Sequence, residues 1–372
     1  MAIVIEPYRQ EHEPAVAKFN RRLQSGRAEK DLVFYEHSEP RWLPPNRSSI
    51  FNQYFVAIDN GAVRGGYALK WQTFGFSDGA VRSLGYYHHP LSEGIINKSY
   101  APVGALLLRD AVRRSPLLYC LGMGGYDRPL PRMLVSLDWS HCLFPFYFRV
   151  VHPYRFLREM QALRTSTWRR LVMDLAAYTG TGWAATTAHR ITTQIRAPQF
   201  APYLVTEVEE FSGWADPLWD GAKSYYSMTA VRDSKTLRTL YPGTDQHFTR
   251  LRISRDGADI GWAVVAERRK DAKYGSLRVG SVVDCWASPD NAFPVVRSAA
   301  AALEKRGMDL IVSNQSNQTW CNAFKAAGFL QSESNFIFAA SKKLAELLQP
   351  FDENKLRLHF TRADGDGLPR NF

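Results

Sequence analysis

Residues 86–139 read YYHHPLSEGIINKSYAPVGALLLRDAVRRSPLLYCLGMGGYDRPLPRMLVSLDW, and this stretch decides the fold. The run from Arg82 to His88 predicts a strand, and Pro90-Leu91-Ser92-Glu93-Gly94 a polar turn. Val103 to Arg114 carries apolar residues at helical spacing. Leu117 to Met123 is a short apolar run, and Gly124-Gly125 opens a second helix that ends near Asp138-Trp139. Strand, helix, strand, helix is a βαβα unit. Its two strands lie parallel because the helix carries the chain back to the starting edge. Units of this kind take phosphate-bearing ligands at strand ends and helix N-termini.

The same order recurs downstream. Leu277 to Trp286 predicts a strand, Val295 to Lys305 a helix and Asp309 to Ser313 a second strand. Asn314-Gln315-Ser316-Asn317 is a turn, and Trp320 to Ala327 a helix closed by Gly328-Phe329. From strand end to closing aromatic is 16 positions in both copies, Met123 to Trp139 and Ser313 to Phe329. Each copy is preceded by a hairpin signal, Asp59-Asn60-Gly61 and Asp256-Gly257, since Asn-Gly and Asp-Gly accept positive φ. The fold class expected is therefore α/β, two divergent copies of one domain, each a mixed, partly parallel sheet flanked by helices. The boundaries read 1–153, a helical linker 154–199, a second domain 200–348 and a surface tail 349–372.

Outside the repeat, Ile3 to Tyr8 predicts a strand and Gln10 to Leu23 a helix. Leu32 to Arg47 reads as a loop packed by its own aromatics around Trp42-Leu43-Pro44-Pro45. The apolar run Leu143 to Val151 is expected to complete the first sheet. The linker sets Arg155, Arg158, Arg164, Arg169 and Arg170 among Phe156, Leu157, Met160, Trp168 and Leu171. Two readings stand: a linker helix over the seam between domains, or a basic amphipathic element resting on a membrane surface.

With 47 Lys+Arg against 36 Asp+Glu, the formal charge of +11 favours anionic partners. The four cysteines have no CxxC spacing, which argues against a zinc site. The start MAIVIEPYRQ lacks a basic segment before an apolar core, and no apolar run reaches about 18 residues, so neither a signal peptide nor a spanning helix is expected. Cytoplasm is the expected location.

This element order resembles the GNAT acyltransferases. The resemblance is carried by IEPYRQEHEPAVAKFNRRL at 5–23 and by NAFKAAGF at 322–329. PLSEGIINKSYAPVGALLLRDA, LGMGGYDRPLPRML and WDGAKSYYSMTAVRDSKTLRTLY look like members associated with polysaccharide biosynthesis. The resemblance implies acyl-CoA (acetyl-CoA) as co-substrate, with no metal, and a sugar or other small-molecule acceptor. It places the donor pyrophosphate at the loop before the crossover helix. Here that loop is Ser99 to Gly104, where Gly104 matches; Lys98 adds charge, and Val103 and Ala105 flank the glycine. The second copy has Asp290 to Pro294, with no glycine.

Acyl transfer needs a base, oxyanion donors and an acid for the leaving thiolate. Glu93, just after the strand, and His88, beside His89, are the candidate bases. Tyr126 is the candidate acid, with Asp127 and Arg128 beside it for substrate. In the second copy Asp284 occupies a position near that of Glu93, with Arg232 as a further substrate candidate. A carboxylate in an apolar strand needs a partner, and Arg232 or Arg278 would serve. Two other functions fit the same fold: a Fem-type transfer from aminoacyl-tRNA, which would add nucleic acid as a partner, and a non-catalytic tandem that organises a membrane-associated complex.

Overall fold

A computed structural model describes residues 3–26, 32–40, 43, 49–196, 198–268 and 274–365. Trp42, Pro44 and Pro45 of the aromatic loop, and the last residues of the tail from 366, lie outside the described residues. In chain order come β1 (Val4–Pro7), α1 (Glu13–Ser25), β2 (Ile50–Asp59), β3 (Ala62–Phe76), β4 (Val81–Ser92), α2 (Val103–Arg114), β5 (Leu118–Met123), α3 (Pro129–Ser136) and β6 (Ser140–Val150). The helices α4 (Pro153–Glu159), α5 (Thr167–Tyr178) and α6 (Thr181–Arg196) follow. Then come β7 (Leu204–Val208), α7 (Ala215–Ala222), β8 (Met228–Ala230), α8 (Ser234–Leu240), β9 (Phe248–Arg255), β10 (Ala258–Glu267) and β11 (Val279–Ala287). Last are α9 (Ala292–Lys305), β12 (Leu310–Asn314), α10 (Gln318–Ala326), β13 (Leu330–Ala340) and α11 (Lys342–Leu347). No described helix is long and apolar enough to cross a membrane.

The chain divides into two compact units: Met1–Phe74 with Ala80–Leu143 and Ile337–Phe351, and Gly75–Gly79 with Phe144–Phe336 and Asp352–Phe372. In the first, the strands run β1-β2-β3-β4-β5, with the end of β13 beside β5. β1, β2 and β3 pair antiparallel, while β4 and β5 are parallel. Asn60 and Gly61 turn the β2–β3 hairpin with φ of 49° and 74°, the left-handed pair of a type I′ turn. Alternation along the strands divides the side chains between two faces. Tyr67, Leu69, Tyr87 and Cys120 pack with Val103, Leu107 and Leu108 of α2. Tyr54, Val56 and Ala68 point the other way and pack with Val16, Phe19 and Leu23 of α1.

In the second unit the order is β6-β12-β11-β10-β9-β7, with β11 and β12 parallel. Asp256 and Gly257, at φ 50° and 80°, turn the β9–β10 hairpin. The expectation for 143–151 is corrected here: β6 pairs antiparallel with β12, Leu310 opposite Val150 through Asn314 opposite Phe146. The closing strand of the first sheet is instead Ile337–Ala340 of β13. Both closing runs are apolar, and alternation within a strand says nothing of which neighbour receives it.

The surface-tail reading is corrected as well. Leu358 to Thr361 and Asp364 are buried in the second unit. The Phe360 amide donates to Ser316 Oγ at 2.7 Å, and Thr361 Oγ1 to Asp284 Oδ1 at 3.0 Å. The His359 ring packs tilted or edge-on against Tyr226, Trp286 and Trp320. Burial, reinforced by Arg232, pushes its imidazole down to about 3. The unfolded chain binds that proton from about pH 6.5 downward and the folded chain does not, so stability falls as pH drops through this window, by about 1.4 kcal/mol per unit. Urea midpoints at pH 7 and pH 5 measure this. His359→Gln flattens the slope by close to one proton; an unchanged slope contradicts the assignment.

Candidate active site

The site is built where β4 and β5 end. Parallel strands deliver their C-terminal ends to one edge, the place where open α/β sheets bind ligands. Registered pairing of β4 with β5 is confined to Gly85–Leu118 and Tyr86–Tyr119, although β4 runs on to Ser92 and β5 to Met123. Past the last rung the backbone leaves ladder geometry. His89 takes φ 51°, Gly122 91° and Met123 67°. Non-glycine residues adopt this region only when the surroundings impose it. In the same stretch the Tyr86 hydroxyl donates to the Leu121 carbonyl at 2.9 Å.

The loop that follows β4 is pinned by Glu93, which is 4% exposed. Its carboxylate accepts from Arg22 Nη2 at 2.8 Å and Nε at 3.1 Å, and from Arg64 Nη1 at 3.1 Å. Burial pushes the Glu93 carboxyl up, but the hydrogen bonds from the two guanidiniums outweigh this and hold it below the usual carboxylate range. A carboxylate saturated by two arginines has no free valence for a substrate proton, so its geometry is that of an anchor, tying the loop to α1 and β3. Gly94 follows; a Cβ there would stand 2.8 Å from the Tyr100 carbonyl and the Ala101 Cα, too close for any side chain.

The chain then enters α2 through a short turn at Lys98–Tyr100. Pro102 precedes Val103 and supplies no side-chain cap. The first-turn amides of Val103, Gly104 and Ala105 therefore have no acceptor inside the helix, and the helix dipole adds partial positive charge there. Space is open at this end: a Cβ on Gly104 would meet nothing within 4 Å, and Lys98 and Ala105 are exposed. After β5, Tyr126 is exposed and its hydroxyl shares a 2.9 Å hydrogen bond with His141 Nδ1. Asp127 and Arg128 are exposed in the same loop.

His88 lies on the α1-facing side of the sheet, stacked on Tyr86 with centroids 5.0 Å apart. Lys70 Nζ stands 5.5 Å from the Tyr86 ring, Asn52 is the rung partner of Lys70, and Gln72 is two residues further on the same face. All four polar residues are buried. His88 Nε2, Asn52 Oδ1 and both amide atoms of Gln72 have no hydrogen-bonding partner in the protein. Each such atom costs about 1–3 kcal/mol if it stays unsatisfied, so a cluster of them on one face fits a polar ligand. Burial, then His89 and Lys70, holds the His88 imidazole well below its ordinary value, which keeps it neutral at pH 7. Sequence reasoning missed Asn52, Lys70 and Gln72. In an alternating strand, polar residues every second position read as a solvent-facing edge, and burial alone distinguishes them.

The structure thus brings Glu93, Lys98, Val103, Gly104 and Ala105 into one loop and helix start, Tyr126 to Arg128 into the loop after the neighbouring parallel strand, and His88 onto the opposite face. Asp284 and Arg232 are corrected. Both are wholly buried in the second unit, where Arg232 donates to Asp284 at 2.9 Å and to Asp364 at 2.8 Å, and Tyr241 donates to Asp284 at 2.9 Å. They hold each other, not a substrate; Arg278 pairs with Glu267. The helix start equivalent to that of α2 is also closed: Ala292, Phe293 and Pro294 are buried, Phe200 stacks on Phe293, and Pro294 removes an N–H from the first turn.

No protein-family model matches the sequence, and no curated protein matches it significantly. Solved structures do. Saccharomyces cerevisiae N-myristoyltransferase with bound myristoyl-CoA is similar over 91% of this chain and 78% of its own, with a TM-score of 0.52 at 9% identity. A tandem GNAT protein from the clavulanic acid biosynthesis pathway aligns over 91% of this chain and 98% of its own, with a TM-score of 0.48 at 10% identity. At such identity the likeness to the myristoyltransferase is one of fold alone.

Proposed function

We propose that this protein is an acyltransferase that moves an acyl group from acyl-CoA to an amine or hydroxyl of a polyhydroxylated acceptor, an amino sugar being the simplest fit, and that the first unit carries the reaction. The observation that supports it most is the set of buried, partnerless polar atoms of Asn52, Gln72 and His88 beside the point where β4 and β5 leave register. The first-turn amides of α2 suit the donor pyrophosphate, and Lys98 suits a further phosphate. The thioester then reaches the sheet between the two strand ends. Amides such as Asn52 and Gln72 offer both donors and acceptors to sugar hydroxyls. Neutral His88 accepts hydrogen from the attacking group. As the new C–N or C–O bond forms and the C–S bond breaks, that proton finishes on the CoA thiolate, giving free CoA thiol. The phenol of Tyr126 is an exposed donor in the loop after β5.

Titration of the full chain with acetyl-, octanoyl- and myristoyl-CoA by calorimetry tests the donor. Saturable binding to at least one of them is expected, and none at all removes the reading. Gly104→Glu sharpens the test. A carboxylate in the first turn favours the helix, so thermal stability holds or rises, yet it repels the pyrophosphate. Affinity for acyl-CoA falls by about tenfold, on the order of one like-charge contact. Unchanged affinity would move the donor away from α2.

A further inference from the structure

The helices α5 and α6 carry a surface that the reaction does not use. Along α5 the solvent-facing positions are Trp168, Leu171, Val172, Leu175 and Tyr178, with Trp168 71% and Leu175 64% exposed. At 3.6 residues per turn these five fall within an arc of about 120°. The opposite side of the same helix holds its one buried residue, Ala177, and the half-buried Met173 and Asp174. The amphipathic pattern is thus inverted: the apolar stripe faces water. On α6, Trp183 (66% exposed) and Ile195 (78%) point outward, whereas His189 lies 3.3 Å from the Gly328 carbonyl and Thr193 packs on Gly328. Each helix is therefore anchored by one side and bare on the other.

Charge specifies what covers it. Residues 154–196 contain seven arginines and no lysine against Glu159 and Asp174, a net charge of +5 (7 − 2). Asp174 is already held by Arg164 through two hydrogen bonds of 2.9 and 3.0 Å. Arg169 and Arg170 in the first turn of α5 are exposed, Arg169 nearer the apolar stripe and Arg170 nearer the side of Ala177, and their hydrogen bonds go to neutral groups, Thr165 Oγ1 and the Arg164 carbonyl. A second copy of this chain would bring +5 against +5. An anionic lipid surface supplies the opposite charge, a hydrocarbon boundary for Leu171 and Leu175, and the interface that tryptophan and tyrosine favour. We infer that the α5–α6 hairpin is a membrane-surface anchor that seats the protein on anionic phospholipid.

The full chain is sedimented with vesicles of phosphatidylcholine alone and of phosphatidylcholine with 30% phosphatidylglycerol, at about 50 and 300 mM NaCl. Binding to the anionic vesicles at low salt is expected, with weak binding to neutral ones and loss at high salt. Arg169→Glu with Arg170→Glu lowers that binding by on the order of tenfold or more. Trp168→Ser with Leu171→Ser and Leu175→Ser abolishes it, while circular dichroism and acyl-CoA binding stay unchanged because none of these residues lies in the first unit. No vesicle binding at low salt overturns the inference. Equal binding of wild type and the triple variant overturns it too, as does equal binding to neutral and anionic vesicles. A concentration-dependent dimer lost in the triple variant, without vesicle binding, assigns the face to a second copy instead. These outcomes are independent of the acyl-CoA titration.

Discussion

Replacing His88 with glutamine lowers turnover by about 10²- to 10⁴-fold, the usual contribution of a positioned proton acceptor, and leaves the affinity for acyl-CoA unchanged. The separation follows from placement. Under the proposed function the donor phosphates would meet the start of α2, which packs on one side of the first sheet, and His88 lies on the other side with Asn52 and Gln72. Glutamine keeps polarity and most of the volume but cannot take a proton. The measurement is free-thiol release from acyl-CoA across a panel of amino sugars and simple amines, with calorimetry for donor affinity. The pH profile gives a second readout. Burial holds the His88 imidazole neutral well below the ordinary histidine range, so wild-type activity keeps its plateau as pH falls through 6.5, where an exposed histidine would already be losing it. If His88→Gln retains more than half the wild-type turnover, proton transfer lies elsewhere and Tyr126 becomes the next residue to replace.

Arg232→Met unfolds the second unit. Arg232 is the cation between two buried carboxylates, 2.9 Å from Asp284 and 2.8 Å from Asp364, with Thr361 and Tyr241 bonded to the same group. Breaking a buried pair from one side costs about 3–5 kcal/mol because the remaining charge stays in low dielectric. Here two carboxylates remain, and whole-domain stability is about 5–15 kcal/mol. Urea unfolding followed by circular dichroism detects the loss. Adding Asp284→Asn and Asp364→Asn to Arg232→Met removes the stranded charges and recovers at least half of it. A loss below about 1 kcal/mol for Arg232→Met alone would show that the network is not needed for stability.

Much of the fold was legible because its signals are local. The Asn60-Gly61 and Asp256-Gly257 turns each required two consecutive residues at positive φ, and both are found. The helix read at 103–114 has those same limits, since Pro102 and the Ser115 turn are written into the chain. That Asp284 pairs with an arginine, Arg232 or Arg278, followed from the cost of an unpaired charge in an apolar strand, and the structure selects Arg232. The site was less legible. Glu93 has the residue type and position of a base, yet Arg22 and Arg64, 71 and 29 positions away, complete its hydrogen bonds. The tail looked solvent-exposed because its Asp, Arg and Gly content is that of a surface, and its burial comes from Ser316, Asp284 and Arg232, all remote in sequence.

By itself the sequence determined the two βαβα copies, their hairpins, the helix over 103–114 and the excess of arginine between residues 154 and 196. Each depends on spacing and chemistry within a few turns of chain. Only the tertiary structure decided that β6 pairs with β12 and the end of β13 joins the first unit, that arginines complete the hydrogen bonds of Glu93, that polar atoms of Asn52, Gln72 and His88 lie buried without partners on one side of a sheet, and that the apolar stripe of α5 faces water. Those facts depend on which distant segments remove water from a side chain, and burial of that kind is a property of the packed molecule rather than of any stretch within it.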